Sequence, residues 1–397
     1  MPGALQGVRV LDLSQMWAVP SAAVYLADQG ADVIKVEPPR GDDSRRVLAS
    51  VPIEGAKAAV NRHYLAVNRS KRGIAVDLRA PDGRAIIHRL SRWADVVLQN
   101  FRPGVAERLG VDYETLSALN PRLIFVSVTP YGPKGPFANR RAYDLLVQAH
   151  TGMLGLRRDG TGMPIPSGVW AADMSTPMLI AYGVTLALLT RERTGRGQKV
   201  ETALLYGAVM MQAVDLVRAQ TETETPRSLA AQALYAPYRC GDGEYLIIVV
   251  VSEGEWQALC RVLDLEHLAR EPGLDSPAAR AERSAELYPI FEAIFETRAR
   301  DEWVRALSAE DVPCAPVLNR GEVHAHTQIL ENEMLVDVEH PGIGSVRMAG
   351  VPVRLSDFPP TAPRPAPALG AHTDEVLTEL GYVPEEIARL RDQGIVV

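Results

Sequence analysis

The run Gly168-Val169-Trp170-Ala171-Ala172-Asp173-Met174-Ser175-Thr176-Pro177 sets one carboxylate in an apolar stretch, just ahead of a helix-start pattern. An acid so placed loses part of the hydration that keeps carboxylates unreactive. Helix N-terminal amides nearby can keep it ionised and stabilise an oxyanion beside it. Asp173 is therefore a candidate nucleophile. The same position suits a helix cap, and position alone leaves both roles open.

A second group of residues speaks for a ligand with several phosphates. Arg40, Arg45, Arg46, Lys71, Arg72, Arg102 and Arg108 follow segments that read as strands, at the edge where open α/β sheets bind ligands. Other chemistries lack their residues. The loop Ser14-Gln15-Met16-Trp17-Ala18-Val19-Pro20 has no glycine, so its backbone cannot approach a dinucleotide pyrophosphate, although Glu37 stands where a ribose-binding acid would. There is no GxSxG elbow and no HExxH, and His324-Ala325-His326 is the one close histidine pair, so no metal is expected. Cys240, Cys260 and Cys314 form no CxxC and read as reduced thiols.

The elements that must carry these residues alternate between two periodicities. Val8–Leu13, Val33–Glu37, Ile74–Leu78, Val96–Gln99 and Leu123–Val128 read as strands, with helices at Ala22–Gln29 and Gly83–Trp93 between them. A strong helix is expected over Met178–Thr190, with Thr176 as N-cap, Pro177 at its first position and Gly195 beyond its end. Lys199–Leu204 reads as a strand leading into a further helix, and Thr221–Arg227 as a linker. A smaller α/β unit then has two strands around the turn Cys240-Gly241-Asp242-Gly243 and helices near 254–262, 285–296 and 302–307. The proline-rich run Phe358–Pro367 predicts an extended strap, followed by two helical segments. The expected fold class is α/β, with a large Rossmann-like domain built on an open parallel sheet and a smaller α/β domain. The expected bounds are 1–220, 221–330 and a return strap with helices over 331–397.

At 397 residues, 47% hydrophobic and 23% charged, the chain has the composition of a globular protein of about two domains. A net charge of -7 argues against a broad nucleic-acid or anionic-membrane surface. The start MPGALQGVRV lacks a signal-peptide pattern, and Met178–Leu189 is too short an apolar stretch to span a bilayer, so a cytoplasmic location without membrane attachment is expected.

Ordered segments along nearly the whole chain resemble the class III CoA-transferases, which include formyl-CoA and carnitine CoA-transferases and the related α-methylacyl-CoA racemases. These segments are GVRVLDLS, LADQGADVIKVEPPRGDDSR, NRSKRGIAVDL, QNFRPGVAERLG, YDLLVQAHTG, TGRGQKV, VPCAPVLN and LGAHTDEVLTELG. The resemblance implies an interlocked homodimer of two-domain subunits, and a CoA co-substrate in place of a bound cofactor. It implies Asp173 as a nucleophile that passes through an aspartyl anhydride and an aspartyl-CoA thioester between an acyl-CoA donor and a carboxylic acid acceptor. It places CoA against Met16, Ala18, Asn68, Lys71, Arg72, Asn100, Phe101, Arg108 and Arg141, and the acyl pocket at Trp17, Tyr143 and Asp144. Trp17 stands where formyl-CoA transferase carries Gln, and the region Arg227–Tyr235 lacks the glycine-rich flap of that enzyme. Tyr143 stands where the racemases need a histidine, which favours acyl transfer over proton transfer; His150 is the one imidazole near it in sequence. The remaining alternatives are a racemase or epimerase and a non-catalytic acyl-CoA-binding protein.

Overall fold

Near-continuous apolar runs become six strands: β1 (Arg9–Asp12), β2 (Asp32–Glu37), β3 (Arg72–Ala75), β4 (Val96–Gln99), β5 (Ile124–Thr129) and β6 (Lys199–Ala203). In the computed structural model, which describes residues 3–47, 61–221 and 232–397, they form one parallel sheet in the order β3-β2-β1-β4-β5-β6. Successive side chains point to opposite faces, and both faces are covered, which is why the strands show no polar alternation. Val10, Val33, Val96 and Val126 belong to one core, with Val19, Ala23 and Leu26 of helix α1 (Ala18–Asp28). Leu11, Ile34, Ile74, Val97 and Phe125 belong to the core of the other face.

The remaining helices of this part are α2 (Arg62–Asn68), α3 (Pro81–Trp93), α4 (Val105–Leu109), α5 (Tyr113–Leu119), α6 (Asp144–His150), α7 (Ala171–Thr194) and α8 (Leu204–Met210). Ile86, Ile87 and Leu90 of α3 join the core that holds Leu11, whereas Ile180, Val184 and Ala187 of α7 join the core that holds Val10.

Three element boundaries differ from expectation for identifiable reasons. Helix α1 starts four residues before Ala22, because Pro20 falls in its first turn, where the missing N–H has no intrahelical acceptor. Strand β3 ends at Ala75, where the next residue, Val76, donates its N–H to Glu37 O of β2 at 2.8 Å and turns its other edge to Val396 of the tail. Helix α7 is 24 residues long and begins at Ala171, so Thr176 is not its cap and Pro177 lies inside it. By length and composition α7 is long and apolar enough to cross a membrane, contrary to the shorter stretch expected, yet one of its faces packs on the sheet.

The chain divides into two compact units, Met1–Leu216 with Leu330–Val397 and Val217–Ile329. All of the Thr221–Arg227 linker except Thr221, and the part of Arg227–Tyr235 before Gln232, lie outside the described residues. In the smaller unit, Tyr235–Arg239, Tyr245–Val249 and Cys314–Pro316 form an antiparallel sheet. Trp256, Phe291, Phe295 and Trp303 fill its core, and a Ser252/Glu255 capping box opens the helix Glu253–Val262. In the larger unit the proline-rich strap is laced to the sheet side. The Thr361 N–H donates to Asp28 O, the Ser70 N–H to Arg364 O, and the Tyr64 hydroxyl to Pro367 O. The helices Thr373–Glu379 and Pro384–Asp392 then insert Val376, Leu377, Ile387 and Leu390 into the core around Leu11.

Candidate active site

The strand order reverses between β1 and β4, and the loops that leave these two strands border a crevice at their C-terminal ends, where open α/β sheets bind ligands. The β1 loop is held from below by buried charges. Lys71 Nζ donates to Asp12 Oδ2 at 2.8 Å, to Asn68 Oδ1 at 2.9 Å and to the carbonyls of Pro20 and Val67. Lys35 Nζ donates to Asp42 Oδ2 at 2.9 Å and to Ser14 O, while Asp42 Oδ1 accepts the Met16 N–H at 3.2 Å. Burial pushes the Asp12 carboxyl up, but the ammoniums of Lys35 and Lys71 outweigh it and leave it below its ordinary value. Burial pulls the Lys71 ammonium down to about 8, against the opposing pull of Asp12. Met16 adopts φ 69°, a left-handed conformation uncommon outside glycine. From the β4 side Asn100 clasps the same loop, accepting the Gln15 N–H at 2.9 Å and donating to Gln15 O at 2.8 Å.

Over this scaffold lies a cavity of about 940 Å³. It brings together Met16, Trp17, Ala18, Arg46, Asn100, Phe101, Arg102, Arg141, Tyr143, Asp144 and Asp173 of the residues singled out in the sequence. It excludes six others: Arg40 lines a neighbouring cavity, Arg45 pairs with Glu37 at 2.7 Å and donates to Pro367 O, and four more are placed elsewhere. Asn68 and Lys71 are buried and spend their polar atoms on one another, Asp12 and the backbone. Arg72 pairs with Asp32 at 2.7 Å and with Glu375 and Glu379 of the tail. Arg108 is exposed on α4 with its guanidinium beside Gly104, next to the lining residues Pro103 and Val105 but not itself among them. The phosphate roles expected of Lys71 and Arg72 therefore have no support in the geometry. Cations do line the cavity at Arg46, Arg102, Arg140 and Arg141. Arg140, adjacent to Arg141 in sequence, was not singled out.

A second cavity of about 540 Å³ shares Gln15 and Phe101 with the first and extends beyond β2 and β3 between Pro38, Arg40, Leu78 and Arg79. Lys71 precedes β3, which begins at Arg72, so the basic residue beyond its C-terminal end is Arg79.

Asp173 occupies the first turn of α7, partly buried, and Pro177 lacks the N–H that would bond its carbonyl. Gly207 lets α8 approach this turn: a Cβ there would lie 2.5 Å from Ser175 Oγ and 2.6 Å from Thr176 Oγ1. The Asp173 N–H donates to Asp144 Oδ2 at 2.9 Å. Burial first, and the charge of Asp144 second, raise the Asp173 carboxyl to about 7. Beside it stands an aromatic wall that sequence reasoning saw only as Trp17. Trp170, the residue before α7, meets the Trp17 ring edge-on at 4.9 Å, and His63 stacks on Trp17 at 4.8 Å. The signal for Trp170 was its place three residues before Asp173. His150 does not line the cavity; its ring packs against Tyr131 and Phe137 at 5.3 and 5.0 Å. Among the described lining residues there is no histidine, the residue type that a racemase would need at this acid; His63 reaches the wall only through its stack on Trp17.

The arrangement offers a desolvated carboxylate in an aromatic-walled cavity with basic side chains, suited to covalent acyl chemistry on an anionic substrate. Comparison with known proteins gives the family. CoA-transferase family III matches residues 5–373. The chain is 32% identical to the succinyl-CoA:glutarate CoA-transferase of Homo sapiens over 398 residues, covering 99% of this chain and 90% of that protein. It is 31% identical to the formyl-CoA:oxalate CoA-transferase of Streptomyces coelicolor over 414 residues, covering 99% of both. A solved CAIB/BAIF family protein from Brucella suis superposes with a TM-score of 0.85 at 31% identity, covering 96% of this chain and 100% of that one. The chain belongs to CoA-transferase family III, and it is a transferase that takes acyl-CoA thioesters as substrates.

Proposed function

We propose that this CoA-transferase works by covalent catalysis on Asp173. An Asp173 carboxylate oxygen attacks the donor thioester carbonyl, the C–S bond breaks with its electron pair leaving on CoA thiolate, and a mixed anhydride forms. The thiolate then attacks the Asp173 carbonyl carbon and expels the donor acid as carboxylate, leaving an aspartyl-CoA thioester. The acceptor carboxylate attacks this thioester, and the returning thiolate collects the new acyl group. No step needs a proton, which fits a cavity whose described lining has no imidazole. The observation that carries the reading is Asp173 in the cavity wall, desolvated beside Trp17 and Trp170.

Coenzyme A is read as spanning both cavities, with Phe101 and Gln15 at their junction. Arg40 and Arg79 are then placed for its phosphate-bearing end, and Met16 and Ala18 for its pantetheine arm. Short dicarboxylic acids are the acids that the relatives' names suggest, and Arg46, Arg140 and Arg141 can meet a second carboxylate. We place the protein in the cytoplasm as a homodimer of interlocked subunits. The exposed stripe Met174, Met178, Tyr182, Leu186 and Leu189 on α7 supports a second copy covering this face.

A screen of succinyl-CoA and formyl-CoA against oxalate, glutarate and related acids, with intact-protein and peptide mass spectrometry, tests the mechanism. Wild type should carry a CoA adduct on the Asp173 peptide, and Asp173→Ala should lose both the adduct and at least about 10³-fold of the transfer rate, as expected for a lost nucleophile. Turnover by the alanine variant at the wild-type rate would refute the nucleophile.

A further inference from the structure

A second carboxylate stands directly behind Asp173. Asp144, at the start of α6, is 1% exposed, and its Oδ2 accepts the Asp173 N–H over 2.9 Å. Its Oδ1 accepts from Gln148 Nε2. Gln148 is itself fully buried, donates to Val169 O at 3.1 Å and accepts from Ser167 Oγ at 3.2 Å. Both oxygens of Asp144 thus accept from N–H donors, as an ionised carboxylate does. Other charged or titratable groups of the cavity wall are Asp43, Arg46, Arg102, Arg140, Arg141 and Tyr143. All but Asp43 are exposed, and their fields reach Asp173 through solvent. Leu204 of α8 and the Met16-Ala18 loop bring no charge.

Asp144 therefore imposes a nearby negative charge on the residue that we read as the nucleophile, in a site with little water to screen it. Forming the aspartyl-CoA thioester breaks the donor C–S bond, makes a new one at Asp173 and moves one negative charge from Asp173 to the released acid. We propose that Asp144 is a positioning residue that drives Asp173 toward its uncharged acylated form, by opposing the free carboxylate and leaving the thioester unopposed. The inference rests on the nucleophile assignment and adds what sets the level of the intermediate. The hydrogen bond to the Asp173 amide also fixes the turn from which the carboxylate attacks.

Asp144→Asn keeps an acceptor for that amide and removes the charge, Asp144→Glu keeps the charge, and Asp144→Ser replaces the Asn variant if that one does not fold. The Asp173-peptide adduct is measured at a fixed ratio of succinyl-CoA to succinate from pH 5.5 to 8.5. In the Asn variant the adduct-to-free ratio at pH 7.5 should fall by up to about tenfold, and the pH midpoint of adduct formation should move down by up to about one unit, tenfold corresponding to one unit. The Glu variant should restore both in part. An Asn or Ser variant with the wild-type ratio and midpoint would overturn the proposal, as would a lowered ratio with an unmoved midpoint. Wild type without any adduct would instead overturn the nucleophile assignment, and this inference with it.

Discussion

Below about pH 7 Asp173 carries a proton in the folded protein, and a protonated carboxyl cannot attack a thioester. Adduct formation in single-turnover experiments should therefore rise with pH through about 7 and level off above it. The same shift has a consequence for stability. In the unfolded chain the carboxyl loses its proton near 3.8, in the folded one only near 7. Between those values the folded state holds more protons, so this group makes stability fall as pH rises through the window. Asp173→Asn removes the ionisation, and its melting temperature should exceed that of wild type at pH 8 while matching it near pH 4. A wild-type melting temperature at both pH values would show that the native carboxyl is not perturbed. The proposed nucleophile is thus held at some cost in stability.

At the scale of elements, the loop after β1 and the first turn of α7 do the positioning, and neither is held by its own sequence alone. Met16 keeps its left-handed backbone because Asp42 takes its N–H and Lys35 fixes Asp42. Removing one member of such a buried pair leaves the other charge unpaired, at a cost of about 3–5 kcal/mol. Lys71→Met should accordingly lower the unfolding free energy in urea by about that much through Asp12. Arg79→Ala, at an exposed residue paired, among the described residues, with Asp77, should leave stability within about 0.5 kcal/mol and raise the KM for acyl-CoA instead. Equal KM effects from both variants would return Lys71 to the phosphate site. Lys71 and Arg72 misled because a basic residue in an NRSKRG segment reads the same whether it faces solvent or the protein interior. The difference was set by Asp12 and Asp32, distant in sequence.

For the whole molecule, the tail is part of the core. Val376, Leu377, Ile387, Leu390 and Val396 lie among the residues that cover one face of the sheet, and Val396 bridges Val76. Ending the chain before Phe358 should leave an insoluble product or one without a cooperative melt, because several large apolar side chains would be uncovered at about 1.5–3 kcal/mol each. If two copies are threaded together over the α7 stripe, light scattering should report a dimer, and dissociation in urea should coincide with unfolding in one concentration-dependent transition. A dissociation step ahead of unfolding would rule out threading.

Local pattern was enough for what depends on local pattern. The near-continuous apolar runs marked the strands β1, β2, β4 and β5, the run Lys199–Leu204 marked β6, and the missing glycines after β1 set aside a dinucleotide. The run around Asp173 marked the acid that is proposed as the nucleophile. Only the tertiary structure decided what surrounds that acid. Asp144 and Trp17 lie 29 and more than 150 residues away in sequence and reach it through the fold, while Gly207 admits α8 to the same turn. It moved Asp173 from ahead of a helix into its first turn, since a proline is no certain helix start when packing sustains the helix around it. A carboxylate's reactivity depends on desolvation and on charges within a few ångströms, which long-range contacts set and sequence spacing does not.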